Sequence, residues 1–190
     1  METISEVGNT GSHRRYDEAK GYSRAGNQAR DRWSRHWIIV PILLAFVALG
    51  TIYKDTAPVF ETPGEPWHYS YVKRLADGKG LPPLKISNQA WEQGEAHQPP
   101  LYYAIGGLLT RGIHTGPADA LYERNPYAAL GDPQSAGNKN AVLHLGDEAR
   151  PYRGVAQAVH RLRSFSILCS ALTVLLAYCL AVEIAPRHRA

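Results

Sequence analysis

Little in this chain of 190 residues carries the signatures of the commonest soluble chemistries. There is no Walker-type phosphate loop, no G-x-S-x-G elbow and no H-E-x-x-H helix, so the readable marks of nucleotide hydrolysis, serine hydrolysis and zinc peptidase activity are missing. His144 and His160 lack cysteine or histidine companions at zinc-ligand spacing. Cysteine is scarce: Cys169 and Cys179 are the only two, and on one helix they would stand about 15 Å apart along the axis, too far to bridge. They read as small packing residues and say nothing about redox compartment. No internal repeat is visible, and no stretch has the composition of a separate soluble domain. The net charge of +4 comes from basic residues flanking apolar blocks, which argues against nucleic acid as a partner.

What the chain does have is apolar sequence gathered into blocks, which the mean hydropathy of -0.31 conceals. Trp37 to Tyr53 contains no charge and would make roughly 26 Å of helix, near the lower limit for a hydrocarbon core of about 30 Å. Trp33, Trp37 and Tyr53 stand where interfacial aromatics belong, and Pro41 falls near the start, where a missing N–H costs least. Ser164 to Val182 is a second uncharged block of spanning length. Leu101 to Leu109 is shorter. Charge bias decides how to treat it. Lys20, Arg24, Arg30, Arg32 and Arg35 before the first block favour a cytoplasmic N-terminus, and Arg150, Arg153, Arg161 and Arg163 favour a cytoplasmic flank before the last. Both hold only if the chain crosses in between.

The expectation is therefore an all-α membrane protein of the plasma membrane with three spans, at about 37–53, 99–114 and 164–182. Residues 1–35 form a basic cytoplasmic tail, 54–97 a helical outer loop, 115–163 a cytoplasmic loop and 186–190 a short tail. Asn125-Pro126-Tyr127 and Gly137-Asn138-Lys139-Asn140 read as turns in that cytoplasmic loop.

The outer loop holds the candidate chemistry. Pro66 suits the first turn of a helix, with Glu65 beside the favourable end of its dipole. Such a helix places Glu65 and His68 one turn apart on one face, a pair able to act as a general base or to hold a divalent cation. The alternative is an interfacial helix that sets Trp67, Tyr69 and Tyr71 among lipid headgroups, with Glu65 as its cap.

Four stretches, in order, resemble one family. Glu61-Thr62-Pro63-Gly64-Glu65-Pro66-Trp67-His68-Tyr69 is similar to the E-x-P-D-E-P-x-H-F/Y signature of polytopic GT-C glycosyltransferases, the group of the protein O-mannosyltransferases and aminoarabinose transferases. Leu75 to Pro82 resembles their L-x-x-G-x-x-P stretch. Gln98-Pro99-Pro100-Leu101-Tyr102-Tyr103 is similar to the K/Q-P-P-L-x-Y opening of their second span, and Arg161-Leu162-Arg163-Ser164 to the entry of their third. The resemblance implies transfer of a sugar from a polyprenyl-phosphate-linked donor to an acceptor hydroxyl at the outer membrane face. A carboxylate in the first outer loop would take the hydroxyl proton while the lipid phosphate leaves. It implies Glu65 or Glu61 as the base, and His68, Tyr69, His97 and Gln98 as substrate-binding residues.

Two departures qualify it. Gly64 stands where the family has aspartate, so Glu65 or Glu61 must substitute or the copy is impaired; Gln98 stands where some relatives carry lysine. The chain also ends just after its last apolar block, whereas family members continue through many more spans. The expectation is the N-terminal part of such a transferase, partnered by membrane lipid, the lipid-linked donor and the remaining spans of a split or truncated enzyme. The alternative is a non-catalytic membrane scaffold or subunit.

Overall fold

The computed structural model describes residues 36–84, 94–116, 125–129, 134, 140–144 and 148–184. The tails expected at 1–35 and 186–190, and the Gly137-Asn138-Lys139 turn, lie outside them. The described residues form helices and no strand: α1 (Ile39–Thr56), α2 (Glu65–Ala76), α3 (Leu101–Thr110) and α4 (Gly154–Ile184).

Helix α1 starts two residues before Pro41 and stops before Pro58, whose ring cannot continue it; the Ala57 N–H closes the last turn on the Tyr53 carbonyl. It runs antiparallel to α4. At one end His36 Nδ1 lies 2.8 Å from the Tyr178 hydroxyl, and at the other the Lys54 ammonium reaches Ser164 Oγ at 3.4 Å. Between them Gly50 lets the backbones close up: a Cβ there would sit 3.2 Å from Ile167 Cγ1. Both helices are long and apolar enough to cross a membrane. Their outer faces are bare, with Leu44 65% and Leu176 67% exposed, an apolar surface that hydrocarbon covers at no cost and water does not.

The buried core sits instead in a cap at one end of this pair. Val59 and Phe60 from the turn after α1, Tyr69, Tyr71 and Val72 of α2, and Tyr103 of α3 close around Ala156, Ala158, Val159 and Leu162 at the start of α4. Helix α2 begins at Gly64, whose φ of 81° lies in the region that favours glycine. Pro66 then occupies the first turn, and Lys73 and Arg74 complement the last. Helix α3 packs on α2 through Gly106 and Gly107. A Cβ at Gly107 would lie 3.2 Å from the Ala76 backbone nitrogen, so only glycine allows this approach.

The segment expected to cross at 99–114 holds a helix shorter than spanning length. The helix there is α3, which covers about 15 Å, half a hydrocarbon core, and its Tyr103, Gly106, Gly107 and Thr110 are buried inside the cap. The segments that a third crossing would part are in contact. Glu61 accepts hydrogen bonds from the backbone of Ala141 and Val142, and Arg163 donates to the carbonyls of Lys54, Ala57 and Pro58. Residues 57–84, 94–116, 140–144 and 148–163 thus belong to one cap on one end of the α1–α4 pair. The basic residues that suggested an extra crossing are partners in it: Arg150 pairs with Asp55 and Arg163 with Glu65.

Candidate functional site

A cavity of about 950 Å³ opens where the cap meets the α1–α4 pair. Its walls are largely apolar, with Val72, Leu101, Leu162 and Ile167 among them, and its polar groups include Lys54, Glu65, His68, Gln98, Tyr102 and Arg163. That volume is at the upper end of the range of about 300–1,000 Å³ common for small-molecule sites.

Glu65 and Arg163 form the floor. The guanidinium meets the carboxylate in a two-pronged pair, Nε to Oε1 at 2.6 Å and Nη2 to Oε2 at 2.7 Å. Its remaining donors go to the carbonyls of Lys54 (2.9 Å), Ala57 (2.6 Å) and Pro58 (2.9 Å), around the C-terminal end of α1. All five guanidinium N–H groups therefore have acceptors. Glu65 Oε2 also accepts the Phe60 N–H at 2.8 Å, which holds the one non-glycine residue with positive φ (67°) among the described residues. One ion pair joins the end of α1, the beginning of α2 and the flank of α4.

Glu61 faces away from the cavity. It accepts the Ala141 N–H at 2.9 Å, the Val142 N–H at 3.0 Å and a contact from His144 Nε2 at 2.9 Å, while His144 Nδ1 meets Glu148 at 2.8 Å. Glu148 in turn accepts the Val59 N–H at 3.4 Å. Burial works against the Glu61 charge, but the two backbone donors and His144 outweigh it and hold the carboxyl below its usual value. Burial likewise opposes charge on His144, and Glu148 and Glu61 overcome it, so its pKa is raised. Asn125 braces this strap by donating to the Asn140 carbonyl and pairing its N–H with the Ala141 carbonyl.

His68 lies at the cavity wall, with Nδ1 2.8 Å from the Tyr103 hydroxyl and 4.0 Å from a Glu95 oxygen. The two rings stack at 5.9 Å, and Tyr103 is itself clamped against Tyr71 at 3.9 Å. Burial, reinforced by Glu95, pushes the Tyr103 hydroxyl up to about 12. Tyr69 turns its ring inward against Phe60 at 5.3 Å, and burial raises its hydroxyl to about 12, with Thr115 opposing. Tyr102 holds Ser166 at 2.7 Å.

Of the residues expected to form the site, Glu65, His68, Tyr69 and Gln98 line the cavity. His97 is exposed beside Gln98, and Glu61 is committed to the strap. Arg163, Lys54, Tyr103 and Glu95 were not foreseen. Arg163 looks like an ordinary flanking charge, and nothing local reveals a partner on the far side of the chain. For a divalent cation the residues do not fit: no group of three His, Cys, Asp or Glu is placed to hold one among the described residues, and Arg163 already occupies Glu65. No protein-family profile, curated protein or solved structure matches the chain.

Proposed function

We propose that this chain is a plasma-membrane protein that crosses twice and binds a polyprenyl-phosphate-linked sugar in the cavity beneath its cap, as the N-terminal part of a GT-C type glycosyltransferase. The observation that carries this is the position of the cavity. It lies at the height where the apolar helices end and the polar cap begins, between Ile167 on one side and Lys54, His68 and Arg163 on the other. That is where a membrane lipid presents its phosphate, while its hydrocarbon stays level with α1 and α4.

In this arrangement the start of α1 and the end of α4 lie on one face. The basic tail before α1, together with Arg187 and Arg189 after α4, favours the cytoplasm for that face. The cap and its cavity then stand on the outer face, where the resemblance to GT-C enzymes also puts the transfer.

The carboxylates support two readings. As a general base, Glu65 must surrender a bond to Arg163 when the acceptor hydroxyl arrives, then take its proton as oxygen bonds to the anomeric carbon and the lipid phosphate departs. As a latch, it keeps that bond, and the chain is a donor-binding subunit whose base is supplied by other spans. The full engagement of Arg163 and of Glu61 favours the latch.

The test uses the full chain in lipid nanodiscs with a photoactivatable polyprenyl phosphate. Wild type is expected to crosslink at the cavity, and Leu101→Trp, which places an indole in the cavity mouth, to lose most of the signal. Equal crosslinking of both would overturn the proposal. In a transfer assay, activity unchanged in the Glu61→Gln, Glu65→Gln double variant would remove the carboxylate base and leave the latch.

A further inference from the structure

We infer that His68 is the hydrogen-bond donor of this cavity to a phosphate oxygen, and that Tyr103 is the positioning residue that makes it one. The inference rests on the proposed lipid site and names the group within it that meets the headgroup.

The geometry begins with Tyr103. Its ring is only 4% exposed and is fixed on two sides, stacked on Tyr71 at 3.9 Å and edge-on to Tyr102 at 5.4 Å. Its hydroxyl keeps its proton at neutral pH, since burial has pushed it up to about 12. A buried O–H must donate to something. The acceptor it faces among the described residues is His68 Nδ1, at 2.8 Å. A neutral imidazole that accepts at Nδ1 carries its proton at Nε2. The tautomer of His68 is thus set by a tyrosine held in a stack of rings.

Nε2, on the other side of the ring, belongs to a side chain that lines the cavity. It lies 3.5 Å from where a Cβ of residue 64 would be, and residue 64 is glycine, so no side chain at that position covers it. The His68 side chain is 45% exposed although the ring partner behind it is buried. A cation at the wall makes an anion the suitable guest: Lys54 lines the cavity, its ammonium 3.5 Å from Asp55, while Arg163 is paired with Glu65. An aspartate at position 64 would oppose such a guest at this spot, and the glycine removes that repulsion.

The experiment measures binding of polyprenyl phosphate, of the uncharged polyprenol and of inorganic phosphate to the full chain in nanodiscs. His68→Gln, His68→Leu and Tyr103→Phe are compared with wild type, and ¹⁵N-histidine NMR reads the tautomer. Wild type is expected to prefer polyprenyl phosphate over polyprenol. His68→Gln, which keeps an N–H near the Nε2 position, should retain most of that preference, and His68→Leu should lose about tenfold or more. Polyprenol binding should be the same in all four. Tyr103→Phe should weaken phosphate binding and release the ring into a mixture of tautomers, a spectroscopic change that loss of packing alone does not produce. Equal affinity of wild type and His68→Leu for polyprenyl phosphate would overturn the inference while leaving the lipid site intact. Binding of inorganic phosphate that depends on His68, without binding of either lipid, would support the phosphate contact and overturn the lipid reading. Binding of none of the three probes would overturn both.

Discussion

Replacing Arg163 by alanine removes the guanidinium on which three helices converge. The change strips two hydrogen bonds from the Glu65 carboxylate and one each from the carbonyls of Lys54, Ala57 and Pro58. The Arg163 and Glu65 side chains are only 12% and 15% exposed, so water restores little of what is lost. Removing one partner of a buried ion pair costs about 3–5 kcal/mol, because the other charge is left behind. For a chain of this size that lowers the unfolding midpoint by roughly 6–20 °C. Lysine keeps the charge but has three donors and no planar fork, so Arg163→Lys should recover only part of the loss. The assay is thermal unfolding in detergent micelles followed by tryptophan fluorescence, with Trp67 on α2 reporting on the cap. A double-mutant cycle with Glu65→Gln should give a coupling of about 2 kcal/mol or more. An Arg163→Ala midpoint within about 2 °C of wild type, or a coupling near zero, would refute the latch.

The strap titrates in a defined direction. Glu61 is depressed below 4.5, so its contribution is present above that pH and is lost as pH falls through its folded value; His144 is raised above 6.5, so its contribution is complete below that pH and fades as pH rises through its folded value. Attachment of residues 140–144 should therefore be tightest between about pH 4.5 and 6.5, read as amide-exchange protection of Ala141 and Val142; protection that rises steadily to pH 8 would contradict the sign. Glycine tolerance on α3 should be unequal. A Cβ at Gly107 meets the Ala76 backbone at 3.2 Å, while one at Gly106 meets the mobile tip of Leu162 at 2.9 Å. Gly107→Ala should thus cost about 1–3 kcal/mol and Gly106→Ala less, and unfolding midpoints in the reverse order would count against the packing. For topology, single cysteines at Thr62, Thr115 and Tyr127, with Cys169 and Cys179 changed to serine, should all react with an impermeant maleimide from the same side of intact cells. Protection of Tyr127→Cys while Thr62→Cys reacts would restore a third crossing.

Much of the helix content was legible because apolar runs and caps are local. The first block matched α1 to within a few residues, and Pro66 marked the first turn of α2. The last block was recognised only from Ser164, while α4 begins at Gly154. The missing turns mix Gln157, His160, Arg161 and Arg163 with Ala156, Ala158, Val159 and Leu162, which are buried in the cap, so a search for uncharged runs passes over them. Glu65 and His68 were correctly read as neighbours one turn apart, yet their partners could not be seen. Arg163 is on another helix and Tyr103 on a third, and only the folded cap brings them together. Asn125 forms the turn expected of it, its Oδ1 accepting the Tyr127 N–H, and it also braces the strap by donating to the Asn140 carbonyl.

The charge bias that called for a third crossing loses force for a physical reason. Basic residues orient a membrane chain when they lie in short loops close to a span, and long translocated segments largely escape the rule. Arg150 and Arg153 follow a long polar stretch of sequence, so their sign says little about sidedness. Arg161 and Arg163 are close enough to the apolar part of α4 to count, but both are engaged within the cap: Arg161 donates to the Leu109 carbonyl and Arg163 to Glu65. A guanidinium with every donor satisfied is held where its partners are. It gains little from an anionic cytoplasmic surface, and moving it there would forfeit the pair. The basic residues outside the described segments give a different count from sequence alone. The tail before α1 carries Lys20, Arg24, Arg30, Arg32 and Arg35, and Arg187 and Arg189 follow α4. Those two groups agree on one face only if the number of crossings is even. The same cluster of arginines that seemed to demand a third span is thus what fastens the cap, and its cavity, to the membrane end of the first two.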